Sequence, residues 1–128
     1  MADLQSALRT RVAAAIGHSR VYWGIAPQGK PRPYVRMQTV SDPRPQHLQA
    51  YHTSRRVRVQ VDVFSDSYGE ARAKAEVIIS ALAEPQVVDG VKFGRIKAEG
   101  PRDLGEDVPG VGYIHRASFD LLAEYSLT

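Results

Sequence analysis

Ser41, Asp42 and His47 supply a hydroxyl, a carboxylate and an imidazole within one short segment of the chain. These are the groups that nucleophilic catalysis combines in a serine hydrolase. The strand-turn-helix context that exposes a nucleophilic serine does not surround Ser41, however, and any chain of this size contains the same residue types. We therefore predict no catalytic residue and expect that the protein is not an enzyme.

The two histidines of this segment could also be metal ligands. His47 and His52 are five residues apart, and no third ligand follows at a spacing typical of zinc sites. Two exposed polar histidines are the interpretation that this pattern favours. We predict no zinc site and no cofactor.

Four carboxylates lie close together further along the chain, at Glu99, Asp103, Glu106 and Asp107. Carboxylate oxygens are the ligands that divalent cations such as Ca²⁺ prefer. Their spacing matches no calcium-binding loop, and Arg102 lies among them. The pattern favours a solvated acidic loop, or one that faces a basic neighbour, and no metal site.

Composition limits the remaining classes of function. A chain of 128 residues is typical of a single domain, which we place at residues 1–128, and the absence of cysteine excludes disulfides. No apolar run approaches the roughly 20 residues that span a bilayer, so we expect no membrane partner. The 17 basic residues are interleaved with 14 acidic ones, and the net charge of +3 is therefore spread out. A concentrated basic stripe is missing, so we predict no specific nucleic-acid partner.

The strongest structural signal is the segment from Arg56 to Leu82. Valines at every second position predict a strand with one buried face, and the opposite face has Arg56, Arg58, Gln60 and Asp62. Ser67 and Glu70 have the spacing of a capping box, which marks the start of a helix. That helix should pack an apolar stripe against the valines; the stripe comprises Ala71, Ala75, Ile78, Ile79 and Leu82.

The rest of the chain supplies one more helix, further strands and three loops. The predicted helix spans Asp3–Ile16, and the predicted strands are Tyr34–Val40, Val91–Glu99 and a long final strand from Tyr113 to Tyr125. Proline and glycine predict loops at Gly24–Pro33, Asp42–Ser54 and Gly100–Gly112. These elements predict an α+β fold, with a mainly antiparallel sheet of about four strands and two helices packed on one face.

Two segments and the final strand together resemble a known family. The segments read VYWGIAPQGKPRPYV and RVQVDVFSDSYGEARAKAEVIISAL, and the final strand contains HRASFDLLAEY. In this order, they are similar to the tail completion, or tail terminator, family of long-tailed phages and related prophages. The similarity covers most of the chain and rests on order and spacing, because none of the segments is a catalytic motif.

The resemblance implies a structural virion protein. Members of this family are small α+β proteins that assemble as a ring, generally six-fold, at the head-proximal end of a tail tube. The ring ends tube polymerisation and offers a surface for joining the head. The implied partners are further copies of the chain, the tail tube protein and a head-tail connector protein, and the implied location is the virion tail after assembly in the host bacterial cytoplasm.

A ring requires two different patches on each subunit, which suggests candidate contact residues. Candidates for the subunit interface are the outward polar positions of the strand and the acids of the second loop: Arg56, Arg58, Gln60, Asp62, Asp103, Glu106 and Asp107. Candidates for contact with the tube or connector lie in the proline-rich loops: Gln28, Lys30, Arg32, Arg44, His47, Tyr51 and His52. Two alternatives stay open, a head-side connector of the same particle and a small nucleic-acid-binding accessory protein. The sequence also leaves open whether the particle is a phage, a prophage product or a gene-transfer particle.

Overall fold

A computed structural model describes residues 3–25, 31–41 and 54–127 and shows a large mixed sheet with two helices. The helices are α1 (Leu4–Ile16) and α2 (Tyr68–Leu82). The strands are β1 (Val21–Trp23), β2 (Tyr34–Ser41), β3 (Ser54–Ser65), β4 (Gln86–Val88), β5 (Val91–Phe93), β6 (Lys97–Val108) and β7 (Gly112–Leu127). None of the helices in the described ranges is long and apolar enough to cross a membrane.

The sheet has seven strands in the order β1-β2-β3-β7-β5-β4, and β6 also pairs with β7. β3 lies along one edge of β7, while β6 and β5 share the other edge at successive positions. The pair β1–β2 is parallel and the other pairs are antiparallel. The expectation of a mainly antiparallel sheet of about four strands is therefore wrong. Two of the additional strands, β1 and β4, have only three residues each, too few to show an alternating pattern.

The segment Gly100–Gly112, expected to be a loop, is instead most of β6 and a tight turn into β7. Its prolines and glycines are compatible with a strand because the register shifts between Glu99 and Arg102, and bulges are where strands accept proline. Gly100 has a φ of 108° there, which favours glycine. At Gly105, an added Cβ would lie 2.6 Å from the hydroxyl of Tyr113 on the partner strand. The predicted strand Val91–Glu99 is also interrupted, because residues 94–96 separate β5 from β6.

Both helices begin after a capping side chain, which was predicted only for α2. The Asp3 carboxylate accepts a hydrogen bond from the Ser6 N–H at 2.7 Å, and α1 ends at Gly17, whose φ is 78°. At α2, the Ser67 hydroxyl accepts from the Glu70 N–H at 3.4 Å. Glu70 reaches back through a relay: its carboxylate accepts from the Ser65 hydroxyl at 2.6 Å, and Ser65 accepts from the Ser67 N–H at 3.1 Å. This relay joins the end of β3 to the start of α2.

One hydrophobic core lies between the helices and the valine face of the sheet. Val57, Val59, Val61 and Val63 are buried in one cluster with the facing side of β7 and with both helices. Most of the predicted α2 stripe is confirmed, since Ala71, Ala75, Ile78 and Leu82 are buried and Ile79 is partly buried. The other face of the same strands, which we call the polar face, is therefore the place to look for function.

Candidate functional site

The centre of the polar face is an aspartate that is closed off from solvent. Asp62 on β3 has no exposed area. Its carboxylate accepts a hydrogen bond from Arg36 at 3.0 Å and from the Gln60 amide at 3.2 Å, and the Arg116 guanidinium lies 3.8 Å away. Asp62 was expected to face outward as part of a subunit interface. It is instead buried, and its carboxylate is already paired with side chains of its own subunit.

The guanidinium groups of Arg36 and Arg116 also cover an aromatic ring. They lie 5.3 and 5.9 Å from the centroid of Phe64, and Tyr34 stacks on the same ring at 4.8 Å. Cations near an aromatic face are attracted by its negative potential. The polar face thus packs its own polar and aromatic groups.

A second ionic cluster surrounds Arg58, another predicted interface residue. Its guanidinium donates to Asp120 at 3.0 Å and to Glu99 at 3.2 Å, and Arg102 lies 3.7 Å from Asp120. The hydrogen bond to Asp120, followed by the charge of Glu99, raises the pKa of Arg58. Arg58 is therefore a charged group engaged with its own subunit, and only its remaining exposed surface can meet another molecule.

A groove of about 440 Å³ lies beside this cluster, where β7 passes β3 and the start of β6. We call it the basic groove; its lining residues are Ser41, Arg56, Val57, Arg58, Arg95, Lys97, Leu122, Ala123 and Glu124. Arg56 is 85% exposed and lies 3.9 Å from Glu124. Arg95 and Lys97 are exposed, and within residues 3–25, 31–41 and 54–127 neither forms an ion pair. The sequence does not indicate a role for these two cations, because only the pairing of β6 with β7 places Lys97 across β7 from Arg58 of β3.

The other end of the β6–β7 hairpin is acidic. We call this region the acidic tip: residues 104–113, with Glu106 and Asp107 as its exposed acids. Neither acid forms an ion pair with another described residue. The tip also exposes the apolar side chains of Leu104, Val111 and Tyr113. Exposed apolar groups beside unpaired charges are typical of a surface that meets another protein.

Asp103, predicted to act with these acids, has a different role. It accepts a hydrogen bond from the Tyr68 hydroxyl at 3.0 Å and pairs with Arg72 at 3.3 Å, so it fastens the hairpin to α2. These residues line a cleft of about 290 Å³ with His115 and Tyr113, whose rings are 4.7 Å apart. The four acids considered for a cation are therefore separated along β6. No group of three or more potential ligands in the described part of the chain is arranged to hold a metal ion.

Only one of the predicted loop contacts can be placed. Arg32 forms an ion pair with Asp66 next to the start of α2. The other six lie outside the described residues: Gln28, Lys30, Arg44, His47, Tyr51 and His52.

Comparisons with known proteins agree with this architecture. The sequence model of the family described as Tail completion protein gp17 matches residues 2–123. A chain from a solved structure titled "Virion of native gene transfer agent (GTA) particle" is 17% identical, with a TM-score of 0.62 over 97% of this chain and 93% of that one. A second solved chain, whose description gives no function, is 15% identical, with a TM-score of 0.54 over 98% and 93% of the two chains. No curated protein matches the sequence. At these identities the solved structures show a shared fold.

Proposed function

This chain belongs to the tail completion protein gp17 family, and we propose that it closes the head-proximal end of a phage or phage-like tail tube as a ring of identical subunits. Membership gives the coarser statement directly: the protein has a structural role in a phage tail. The finer proposal is that the ring, most simply a hexamer, stops tube polymerisation and forms the surface that joins the head. In this role the protein is a non-enzymatic building block of the virion, assembled in the host cytoplasm.

The observation that supports a ring is the pair of unlike patches on one subunit. A cyclic assembly larger than a dimer uses heterologous contacts, in which one patch of each copy meets a different patch of the next. The basic groove and the acidic tip differ in charge, and they lie at opposite ends of the β6–β7 hairpin. In this proposal, one subunit supplies both halves of a repeating contact.

Contacts with the tube and the connector are proposed for the proline-rich segments Gly24–Pro33 and Asp42–Ser54. Arg32 lies in the first of these, beside the start of α2. The exposed arginine side chains of the polar face would lie at the rim of such contacts. Exposed charges there would steer and orient association. The partners in this proposal are the tail tube protein on one side of the ring and a head-tail connector protein on the other.

Electron microscopy of particles that lack this protein tests the proposal. A ring that ends polymerisation should leave overlong tails without heads when it is removed, and supplying the protein should restore tails of normal length joined to heads. Tails of normal length next to filled, unjoined heads would contradict termination and indicate a head-side connector instead. Light scattering of the purified chain with tail tube protein gives a second check, since finding only monomer and no complex would also contradict the proposal.

A further inference from the structure

We propose that the acidic tip of one subunit seats in the basic groove of the next copy, with Glu106 and Asp107 facing Arg95 and Lys97. This inference rests on the proposed ring and identifies its subunit contact. It replaces Arg58 and Asp103 as the central residues of that contact, because both are already engaged within their own subunit.

The basic groove and the acidic tip carry unpaired charges of opposite sign. Arg95 and Lys97 are two exposed cations without an ion pair in the described part of the chain, and Glu106 and Asp107 are two such anions. Arg56, 85% exposed at the groove, adds a third positive charge that its distant partner Glu124 only partly offsets. Complementary charges on two surfaces set the orientation and rate of their association.

The basic groove and the acidic tip of one subunit are far apart. Lys97 pairs with Leu122 at one end of β6, and Asp107 pairs with Tyr113 at the other. At ~3.3 Å per residue, the ten-residue step from Lys97 to Asp107 spans roughly 30 Å. The tip therefore cannot fold back onto the groove of its own subunit. The two patches can meet only between copies, and the same contact repeated around an axis closes a ring.

Both the acidic tip and the basic groove have apolar side chains beside their charges. Leu104, Val111 and Tyr113 are exposed at the tip, and the groove has the half-buried Leu122 among its lining residues. Contact would remove these apolar groups from water, which supplies the affinity that exposed charges alone do not.

A protein strand fits this groove better than a nucleic-acid backbone. The groove contains the acid Glu124, and Asp120 and Glu99 lie against Arg58 at its margin. Binding to a phosphate backbone depends on many uncompensated cations. A second copy of this chain presents the matching acids on a paired, rigid hairpin, so we assign the groove to it.

Charge reversal in two variants and their mixture tests the contact. The groove variant is Arg95→Glu with Lys97→Glu, and the tip variant is Glu106→Lys with Asp107→Lys. Each variant alone sets like charges against each other, which should raise the concentration for half-assembly by about a hundredfold or more. An equimolar mixture should assemble, because every contact in an alternating ring again joins opposite charges. A chain with all four reversals should also assemble, and its net charge equals that of the wild type.

Sedimentation velocity, with and without tail tube protein, measures the assembly. Circular dichroism and thermal unfolding establish that each variant is folded. The matched control is Glu76→Lys with Glu84→Lys, two exposed positions in or just after α2 with the same change in net charge as the tip variant. This control should assemble like the wild type.

The outcomes separate the contact from the proposed function. Single variants that assemble like the wild type would overturn the contact while the ring stands. Two defective variants that do not assemble when mixed would also overturn it, because their charges would then act elsewhere. A groove variant that assembles normally but fails to bind tube protein would reassign the groove to the tube. A wild-type chain that stays monomeric even with tube protein would overturn the ring and the contact together.

Discussion

The valine face and the polar face of the central sheet bury their side chains by different means. Val59 and Val61 on β3 are fully buried in the core that includes both helices. On the polar face, Asp62 is also fully buried, but among the guanidinium groups of Arg36 and Arg116. Side chains are therefore buried by apolar packing on the valine face and by ionic contacts on the polar face.

This difference separates folding from assembly. Burial of apolar groups supplies most of the stability of a domain, and the valine face is completed within one subunit. Arginine covers a surface with its apolar stem while its charged head stays near water, so the polar face remains hydrated and charged. Non-obligate protein interfaces have a polar rim of this kind. The helices pack on the valine face, so the polar face can present charged patches at its ends.

Removal of a buried aromatic side chain from the valine face should have the largest effect on stability. Phe119 on β7 is fully buried, and Phe119→Ala should lower the free energy of unfolding by about 3–5 kcal/mol because it leaves a cavity. Urea denaturation followed by circular dichroism measures the loss. The matched control is Leu122→Ala, a half-buried position on the polar face of the same strand, which should cost about 1 kcal/mol by the smaller area buried. Equal losses at both positions would contradict the assignment of the core to one face.

Removal of the buried charge from the polar face should give the next largest effect. Asp62→Asn leaves Arg36 and Arg116 without their anion and should cost about 1–3 kcal/mol. The loss stays below that of a fully buried pair because the two arginine side chains are 27% and 30% exposed and can turn to solvent. Asp66→Asn is the control, since Asp66 is 68% exposed in its pair with Arg32 and should change stability by less than about 1 kcal/mol. If the two substitutions gave the same unfolding midpoint, the ionic centre of the polar face would be unimportant for folding.

The sequence of β3 predicts the contrast between the two faces, whereas the sequence of β6 does not. In β3 the alternation of valine with polar residues predicts both faces, and the spacing from Ser67 to Leu82 predicts the helix that covers one of them. In β6, Gly100, Pro101 and Gly105 are local loop signals, and their compatibility with a strand depends on a bulge and on close approach to β7. Such compatibility is a property of the paired strand and is not visible in its own sequence.

The same limit applies to buried arginines. Arg11 is a charged residue within α1, yet it is only 5% exposed. Its guanidinium donates to the Glu84 carbonyl at 2.8 Å, beyond the end of α2, and lies 5.0 Å from the Phe93 ring. The acceptor is 73 residues away in the chain, so no local pattern predicts it. Arg95 and Lys97 were missed for the same reason, because tertiary register placed them in the basic groove.

The start of α2 tests how firmly the helix is held over the valine face. Ser67→Ala removes the acceptor for the Glu70 N–H and should cost about 1 kcal/mol, whereas Ser67→Gly should cost only a few tenths because glycine is tolerated at a helix N-cap. Thermal unfolding measures both. Amide hydrogen exchange at the first turn of α2 should accelerate more in the alanine variant. Identical stability of the two variants would show that the Ser65–Glu70 relay alone fixes the helix start.

The smallest expected effect is a pH dependence on the helix side of the sheet. Burial, followed by the charges of Arg20 and Lys74, lowers the pKa of His18, against a smaller opposing effect of Glu70. The neutral ring also accepts the Arg20 N–H through Nδ1 at 3.2 Å. The unfolded chain, whose histidine pKa is about 6.5, therefore binds more protons than the folded protein as pH falls.

The stability contributed by neutral His18 is accordingly present above that ordinary pKa and is lost as pH falls through it toward the lowered folded value. Unfolding by urea at pH 8 and pH 5 should show a larger loss in the wild type than in His18→Asn, and NMR titration should give His18 a midpoint below that of a histidine in an unstructured peptide. On the polar face, Arg58 has a raised pKa and keeps its charge across this range. If His18→Asn lost as much stability as the wild type between pH 8 and pH 5, the pH dependence would come from another group. The predicted result would instead show that the two faces differ in response to acid as well as in packing, with the titrating group on the side that holds the fold together.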